Sequence, residues 1–226
     1  MTSNIRSSII EILKLTKDDG ELKETCKLND EVSELLGIMS NEKISIRIDR
    51  THRITLAKRA IQLGANLSDI IELLTWKDFE GFVASILIEN NYECVESFRR
   101  RGNSLIQGME IDVIGVRGNT IVAIDAKMWG IRTGKTSALK MAAEKQKDRT
   151  QELKTELNNL SKRVRMLKEG KYQLIPVIVT WLVEEVEFHE GVPVVPIFKF
   201  NSFILDIDQY EDLIVTYTGH HHITSN

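Results

Sequence analysis

Residues 109–128 read MEIDVIGVRGNTIVAIDAKM, and this stretch decides the fold of the chain. Two runs rich in β-branched residues flank Arg117-Gly118-Asn119, a tripeptide that favours a tight turn because Gly and Asn tolerate positive φ angles. The stretch therefore predicts two adjacent antiparallel strands. Because side chains alternate between the two faces of a strand, Asp125 and Lys127 share one face, and Asp112 can join them in one small patch.

Charged side chains within these apolar strands need partners, because burying an unpaired charge is costly. The spacing leaves two interpretations equally open. In the first, Asp125 and Lys127 form a structural ion pair at a strand end. In the second, the carboxylates of Asp112 and Asp125 and the carbonyl of Ala126 bind Mg²⁺, which prefers oxygen ligands. Lys127 would then orient or deprotonate a water that attacks phosphorus.

The sequence around this stretch predicts an α/β domain over residues 71–218. Thr75 is a candidate helix N-cap, and Asp78 is the acidic partner of a capping box. Apolar residues at four-three spacing over 136–168 predict one long or two broken helices, packed in the core or in a dimer seam. The other predicted elements are a helix over Trp76–Asn90 and strands over Tyr92–Arg99, Leu174–Val183 and Val192–Phe200.

The first 70 residues predict a separate winged-helix domain. Ile44, Ile46 and Ile48 alternate with polar residues as in a half-buried strand. Arg50-Thr51-His52-Arg53 is predicted to be the turn of a hairpin that returns through Ile54. DNA docking and contact with another protein remain equally open for this domain. The three helices that complete it are predicted over residues 3–16, 21–28 and 31–40.

Positive charge is concentrated in the middle of the chain. Residues 95–168 contain 16 Lys and Arg but 8 Asp and Glu, although the whole chain has a net charge of −3. This segregation predicts a local site for a polyanion, while a solvated helix face is the plainer interpretation. No apolar stretch is long enough to span a membrane, and the two cysteines are too few for a disulfide framework. We expect a cytoplasmic protein with no membrane partner and a flexible tail over residues 219–226.

Glu80 in a helix, Asp112 in a strand and Asp125-Ala126-Lys127 in the next strand resemble, in this order, the PD-(D/E)xK nuclease superfamily. The resemblance is strongest to the Mrr-type restriction endonucleases and the archaeal Holliday-junction resolvases, and it covers roughly residues 75–205. Two positions depart from the pattern: Ile111 stands where the superfamily's name has proline, and Asp125 replaces the commoner Glu. The motifs compared are DFEGFV at 78–83, NYECV at 91–95 and EIDVIG at 110–115.

This resemblance implies a restriction-endonuclease-like mixed β-sheet flanked by helices, and an Mg²⁺-dependent endodeoxyribonuclease of restriction, repair or recombination. Mn²⁺ is a possible substitute, no small-molecule cofactor is implied, and a homodimer is expected by analogy. Asp112, Asp125 and the carbonyl of Ala126 would bind the metal, and Lys127 would position the water. Glu80 would reach the metal through water or hold Lys127. The alternative is a non-catalytic DNA-binding or regulatory protein built on a nuclease-like scaffold.

Basic residues near these carboxylates are the candidates for phosphate contacts, because Lys and Arg attract the DNA backbone without reading its bases. Trp129 is predicted to pack in the core, or to stack on an unpaired base. Glu110 is interpreted as a surface residue or an extra metal ligand. Gln146 and Arg149 are assigned to an exposed helix face, or to the site. The DNA-binding candidates are Arg99, Arg100, Arg101, Arg132, Lys135 and Lys140.

Overall fold

The computed structural model describes residues 2–22, 30–37, 46–102, 108–129 and 134–222. The chain divides into two compact units, Met1–Phe82 and Val83–Asn226. In the described part of the chain, no helix is long and apolar enough to cross a membrane.

The first unit combines short helices with a two-stranded antiparallel pairing. In that pairing, Glu21 lies opposite Arg47 and Leu22 opposite Ile46. Its elements are α1 (Thr2–Leu15), β1 (Glu21–Leu22), α2 (Asp30–Leu35), β2 (Ile46–Arg47), α3 (Arg50–Gln62), α4 (Leu67–Glu72) and the first residues of α5 (Trp76–Glu89). Its core contains Ile9, Leu13, Val32, Ile48, Leu56, Ala60, Ile70, Ile71 and Phe79, all almost fully buried.

The hairpin predicted after Ile48 is wrong, because Arg50–Arg53 form the first turn of α3. Asp49 is the N-cap of this helix: its carboxylate accepts a hydrogen bond from the His52 backbone N–H at 3.0 Å. His52 Nδ1 in turn accepts from the Asp49 N–H at 3.4 Å, which completes a reciprocal cap. The hydrogen-bonded cap of α3 thus outweighs the short alternating pattern that predicted a hairpin at this point. Residues 23–29 and 38–45, which include the rest of the predicted second helix and Ile44, lie outside the described residues.

The capping box predicted at the start of α5 is confirmed. The Thr75 N–H donates to the Asp78 carboxylate at 2.9 Å, and the Asp78 N–H donates to Thr75 Oγ1 at 3.1 Å. These two bonds satisfy backbone donors that would otherwise have no partner in the first helical turn. They fix the residue at which α5 begins.

The second unit is a mixed β-sheet flanked by helices. The strand order is β3-β4-β5-β6-β8-β7, and β9 also pairs with β6. The strands are β3 (Glu93–Arg100), β4 (Met109–Arg117), β5 (Thr120–Lys127), β6 (Gly170–Thr180), β7 (Phe188–His189), β8 (Val192–Pro196) and β9 (Tyr217–His221). The helices are α6 (Lys135–Leu153), α7 (Leu157–Leu160) and α8 (Ile197–Leu205), with short 3₁₀ turns over Lys154–Glu156 and Ile207–Tyr210.

The β4–β5 hairpin predicted from the sequence is confirmed. Arg117 pairs with Thr120 across a two-residue turn in which Gly118 has a φ of 54°. Strand β5 then pairs in parallel with β6, so that Lys127 lies beside Thr180 at the carboxyl ends of both strands. The hairpin is local in sequence, whereas the parallel pairing needs the crossover through α6 and α7.

Helices cover both faces of the sheet. Leu153, Leu157 and Leu160 pack with Ile111 and Leu174 on one side. Of the two alternatives predicted over 136–168, one long or two broken helices, the structure has the broken form, with a 3₁₀ turn at Lys154–Glu156 between α6 and α7. On the other side of β4, Gly115 leaves room for Leu87 of α5, since a Cβ there would lie 2.8 Å from the Leu87 side chain.

Two predictions near the end of the chain are wrong. The strand predicted over Val192–Phe200 ends at Pro196, and α8 begins at Ile197 because Pro196, in an extended conformation, serves as its N-cap. The predicted flexible tail is a strand at its start: Gly219 pairs with Tyr172, and His221 Nδ1 donates a hydrogen bond to the Lys168 carbonyl. Long-range pairing with β6, which has no local signal, orders this segment.

Candidate active site

Asp112 lies on β4, which is flanked in the sheet by β3 and β5. The register that pairs Val113 with Ile124 brings Asp112 beside Asp125, one residue further along the hairpin. The Asp112 carboxylate accepts a hydrogen bond from the Ala126 N–H at 2.9 Å. The residue between Asp125 and Lys127 is therefore tied directly to Asp112, and the three predicted side chains converge on one strand end.

The backbone is strained beside Asp112. On strand β3, Glu96 pairs with Val113 and Phe98 pairs with Ile111, so Ser97 faces Asp112. Ser97 has a φ of 49°, in the left-handed region that residues with a Cβ rarely adopt. Strain of this kind is concentrated at functional sites. No pattern in the sequence pointed to Ser97.

Asp125 is the centre of an ionic cluster. Its side chain is buried, and Lys127 Nζ lies 2.9 Å from one carboxylate oxygen and 2.7 Å from the other. Arg149 of α6 approaches the same carboxylate, with its guanidinium 3.4 Å from Oδ1. The Arg149 contact shows that the exposed-face interpretation of this residue is wrong, because α6 turns it towards the strand end.

An open groove runs from this cluster along α6. Its volume is about 470 Å³. Asp125 and Lys127 line its wall at the sheet, and Arg149 lines its wall at the helix. The other residues that line it are Trp129, Ala138, Met141, Ala142, Glu144, Lys145 and Asp148. The cluster is therefore accessible to a ligand even though the Asp125 carboxylate itself is buried.

Gln146 is fully buried on α6, so the exposed-face interpretation is wrong for this residue as well. Among the described residues, neither its side-chain oxygen nor its side-chain nitrogen has a hydrogen-bond partner. Its backbone carbonyl accepts from Thr150 Oγ1 at 2.7 Å. An unpaired buried amide is destabilising, which marks Gln146 as unusual in this core.

Glu80 belongs to the first unit, whereas Asp112, Asp125 and Lys127 belong to the second. Its carboxylate is buried and lies 2.7 Å from Lys77 Nζ, one helical turn earlier in α5. Participation of Glu80 in the site thus stays a prediction.

The predicted DNA-binding residues differ in their exposure and in their ion-pair partners. Arg101 and Lys140 are exposed, and Arg99 forms an exposed ion pair with Glu110 at 2.7 Å. Arg100 and Lys135 are largely buried. Arg100 pairs with Glu152 and Glu156, and Lys135 pairs with Glu184 at 2.6 Å, so both connect parts of the second unit. Arg132 lies outside the described residues.

A second cluster of possible ligands involves Glu144, His189 and Glu190, whose ligand atoms lie within 4.8 Å of one another. His189 Nε2 is 2.9 Å from Glu144, and Lys147 Nζ is 2.7 Å from Glu190. The hydrogen bond from Lys147 lowers the pKa of Glu190, and the same bond raises the pKa of Lys147. Sequence reasoning did not find this cluster because helix α6 and the β7–β8 turn are about 45 residues apart in the chain.

Cys94 does not qualify as a nucleophile. Burial raises the pKa of its thiol to about 12, and Glu96 and Glu93 nearby add to the rise. The thiol therefore stays protonated at neutral pH, and only the thiolate is a strong nucleophile.

Comparisons with known proteins assign no function to the site. No family model matches the chain. An uncharacterized protein of Archaeoglobus fulgidus is 26% identical over 137 residues, which cover 61% of this chain and 95% of that protein. The crystal structure of protein VC1899 from Vibrio cholerae aligns with a TM-score of 0.31 and 12% identity over 94% of this chain, which spans 51% of that chain.

Proposed function

We propose that the second unit is a restriction-endonuclease-like domain that hydrolyses DNA phosphodiester bonds with Mg²⁺, or with Mn²⁺ as a substitute. One observation carries the proposal. The Asp112 carboxylate is bonded to the Ala126 N–H, at the strand end where Asp125 and Lys127 pair and a groove opens. Two acids and a lysine on adjacent strands beside an open groove are the groups that this hydrolysis needs.

The donor set fits a hard divalent cation. Mg²⁺ binds through one or two carboxylates and keeps several waters. Asp112 and Asp125 supply two carboxylates at one strand end, and the Asp125 oxygens already attract a cation, the Lys127 ammonium. When bound, Mg²⁺ would lower the pKa of a coordinated water and stabilise charge on the phosphate.

Lys127 is the group proposed to position the attacking water. An ammonium has three N–H donors, and the two Asp125 oxygens account for two of them. The third is proposed to serve a water or a phosphate oxygen in the groove. Arg149 is proposed to share the Asp125 carboxylate, so that Lys127 is not bound to this acid alone.

The second candidate function is a non-catalytic DNA-binding or regulatory protein on the same scaffold. The same cluster favours it, because Lys127 and Arg149 already neutralise Asp125 as in a structural ion pair. Under this hypothesis the groove binds DNA without cleaving it. Replacement of Asp112 would then leave DNA binding unchanged, and neither the variant nor the wild-type protein would cleave the DNA.

The proposal extends to three further features. Glu80 is proposed to support the metal or Lys127, as the superfamily resemblance implies. The first unit is proposed to be a winged-helix-like module, of which the β1–β2 pairing between helices is the supporting feature, and it would dock DNA or protein. A homodimer is proposed by analogy, because members of the superfamily branch that the sequence resembles commonly pair to cut both strands, and light scattering would measure its mass.

Plasmid nicking with Mg²⁺ and Mn²⁺ tests the nuclease proposal. Asp112→Asn and Lys127→Gln should each reduce the rate by about 10²-fold or more, because each removes a group that stabilises the transition state. Asp212→Asn and Lys171→Gln are matched controls at exposed positions of the same unit and should cleave at the wild-type rate. Wild-type protein that binds but never nicks would support the non-catalytic function.

The preferred DNA structure is tested by comparing the cleavage rates of linear, nicked, flapped and four-way-junction substrates with Mg²⁺ and with Mn²⁺. Glu80→Gln is compared in parallel and should lower the rate, with unfolding followed by circular dichroism as the control. Full activity of Glu80→Gln would remove this residue from the proposed site.

A further inference from the structure

We infer that the groove beside Asp125 accepts the base of an unpaired nucleotide, so that the preferred DNA is single-stranded at the site. This inference rests on the proposed function and specifies its substrate class. The starting observation is the uneven lining of the groove: a tryptophan and an apolar helical stripe lie next to the ionic cluster of Asp125, Lys127 and Arg149.

The helical wall of the groove changes character along α6. Ala138, Met141 and Ala142 come first, and Lys145 and Arg149 follow, all at the three- or four-residue spacing of one helix face. From Ala138 to Arg149 this face is about 16 Å long at the rise of an α-helix. Met141 is 67% exposed, so an apolar surface is open to solvent there. Glu144 and Asp148 also line the charged end, so the groove has an apolar end that suits a base and a charged end where Lys145 and Arg149 can contact one phosphate.

Trp129 is held firmly at the sheet wall of the same groove. Its backbone carbonyl accepts hydrogen bonds from Trp181 Nε1 at 2.6 Å and from Lys135 Nζ at 3.1 Å. Trp181 can reach Trp129 because β5 and β6 are parallel, so the segments that follow these two strands leave the sheet at the same edge. These bonds hold the backbone at Trp129, and its side chain packs partly against the core cluster of Leu139, Ala143 and Ile178 while it lines the groove.

Trp129 also lies close to the proposed catalytic lysine. Lys127 Nζ is 5.6 Å from the centre of the indole ring. A base that packs on the indole would consequently bring its own phosphate near Lys127 and Asp125. Stacking on an aromatic side chain is sequence-tolerant, because every base has a π face.

A base within a duplex is a poor occupant of this groove. Both of its faces are already stacked, so an intact duplex cannot offer one to Trp129. The lining of the groove has three acidic residues (Asp125, Glu144, Asp148) and three basic ones (Lys127, Lys145, Arg149), so attraction to a phosphate backbone is weak and contacts with the base must supply much of the affinity. Tight duplex binding relies on an excess of Lys and Arg on the phosphates. The groove thus favours an unpaired base with few phosphate contacts.

The test measures binding in EDTA, so that no cleavage occurs, by fluorescence anisotropy of labelled DNA. The probes are a 15-mer of thymidylate, the same length with abasic sites, and a blunt duplex. Wild-type protein should bind the thymidylate more tightly than the other two. Trp129→Ala should weaken thymidylate binding by about 10- to 100-fold and leave abasic binding nearly unchanged. Trp129→Phe, which keeps a ring, should restore most of the affinity.

Two more variants keep the inference falsifiable. Trp76→Ala removes an exposed tryptophan of the first unit and should bind as wild type. Met141→Glu adds negative charge at an exposed position of the groove and should weaken thymidylate binding even if Trp129→Ala does not fold. Equal binding of duplex and thymidylate by wild type, or unchanged binding by folded Trp129→Ala and Met141→Glu, would overturn the inference.

The outcomes separate this inference from the proposed function. Asp112→Asn should lose cleavage while it keeps the preference for thymidylate over abasic DNA. A wild-type protein that shows this preference but never cleaves contradicts the nuclease proposal alone. A protein that cleaves duplex DNA and is unaffected by Trp129→Ala contradicts the unpaired-base inference alone.

Discussion

The two units each contain a buried aspartate paired with basic side chains, and the two pairs are built differently. In the first unit, Arg53 and Asp78 are both about 4% exposed, and Arg53 Nε lies 2.9 Å from the carboxylate. In the second, Asp125 is equally buried, but its partners Lys127 and Arg149 are 23% and 28% exposed. The first pair is closed, and the second opens onto a groove.

The partners of the two basic groups explain this difference. Arg53 also donates to the Leu13 carbonyl, to Thr16 Oγ1 and to the Leu73 carbonyl, so its guanidinium joins α1, α3, and the end of α4. Lys127 has two bonds to Asp125 and faces the groove. A buried charge with four of its five donors bonded to the protein is structural, whereas a charge cluster beside open space is available for chemistry.

The largest effect is expected where the closed pair is broken. Arg53→Met should lower the free energy of unfolding by about 3–5 kcal/mol, because it leaves Asp78 buried without its ionic partner. Urea denaturation measures this change. Arg59→Met is the matched control, since Arg59 pairs with Glu31 at a half-exposed position and should cost about 0–1 kcal/mol. A loss below 1 kcal/mol for Arg53→Met would show that the buried Arg53–Asp78 pair stabilises the protein no more than the half-exposed Arg59–Glu31 pair.

A smaller stability loss is expected in the open cluster. Lys127→Met should lower the free energy of unfolding by about 1–2 kcal/mol, because Arg149 still pairs with Asp125 and water enters from the groove. The same urea experiment compares it with Arg53→Met, which makes the same change from a basic residue to methionine. If Lys127→Met costs as much as Arg53→Met, the cluster is structural and the comparison fails.

Gln146 is an uncharged polar group that is buried in the second unit. Gln146→Leu should raise the free energy of unfolding by about 1 kcal/mol, because it replaces a buried amide that has no partner in the described residues with an apolar side chain of similar size. Thermal and urea unfolding give the sign directly. Destabilisation by Gln146→Leu would mean that the amide has a bonding partner in solution, which a nuclear magnetic resonance shift of its side-chain NH₂ would identify.

The smallest effect is expected at the surface pair of Lys147 and Glu190. Lys147 lowers the pKa of Glu190, so any stability from this pair is present above the unfolded-state pKa of Glu190 and is lost as the pH falls through the lower folded-state value. Lys147→Gln should return the pKa of Glu190 towards its ordinary value. A carboxyl titration followed by nuclear magnetic resonance checks this. An unchanged Glu190 pKa in Lys147→Gln would contradict the assigned cause.

Local signals in the sequence predicted several elements correctly. The Thr75–Asp78 capping box and the Gly118 turn each depend on residues a few positions apart. The turn predicted at Arg50–Arg53 failed because the Asp49 cap, also local, was read as part of a strand. The strand Tyr217–His221 was missed because its partner, β6, is about 45 residues away.

The candidate site divides in the same way. Local sequence placed Asp112 at the same strand end as Asp125 and Lys127, because a two-residue hairpin turn sets the register of the strands on either side of it. Long-range packing, in contrast, brings Arg149 to Asp125 and places Trp129 across a groove from α6. These contacts depend on the parallel pairing of β5 with β6 and on how α6 packs over them, and both arise from the burial of apolar surfaces far apart in the chain.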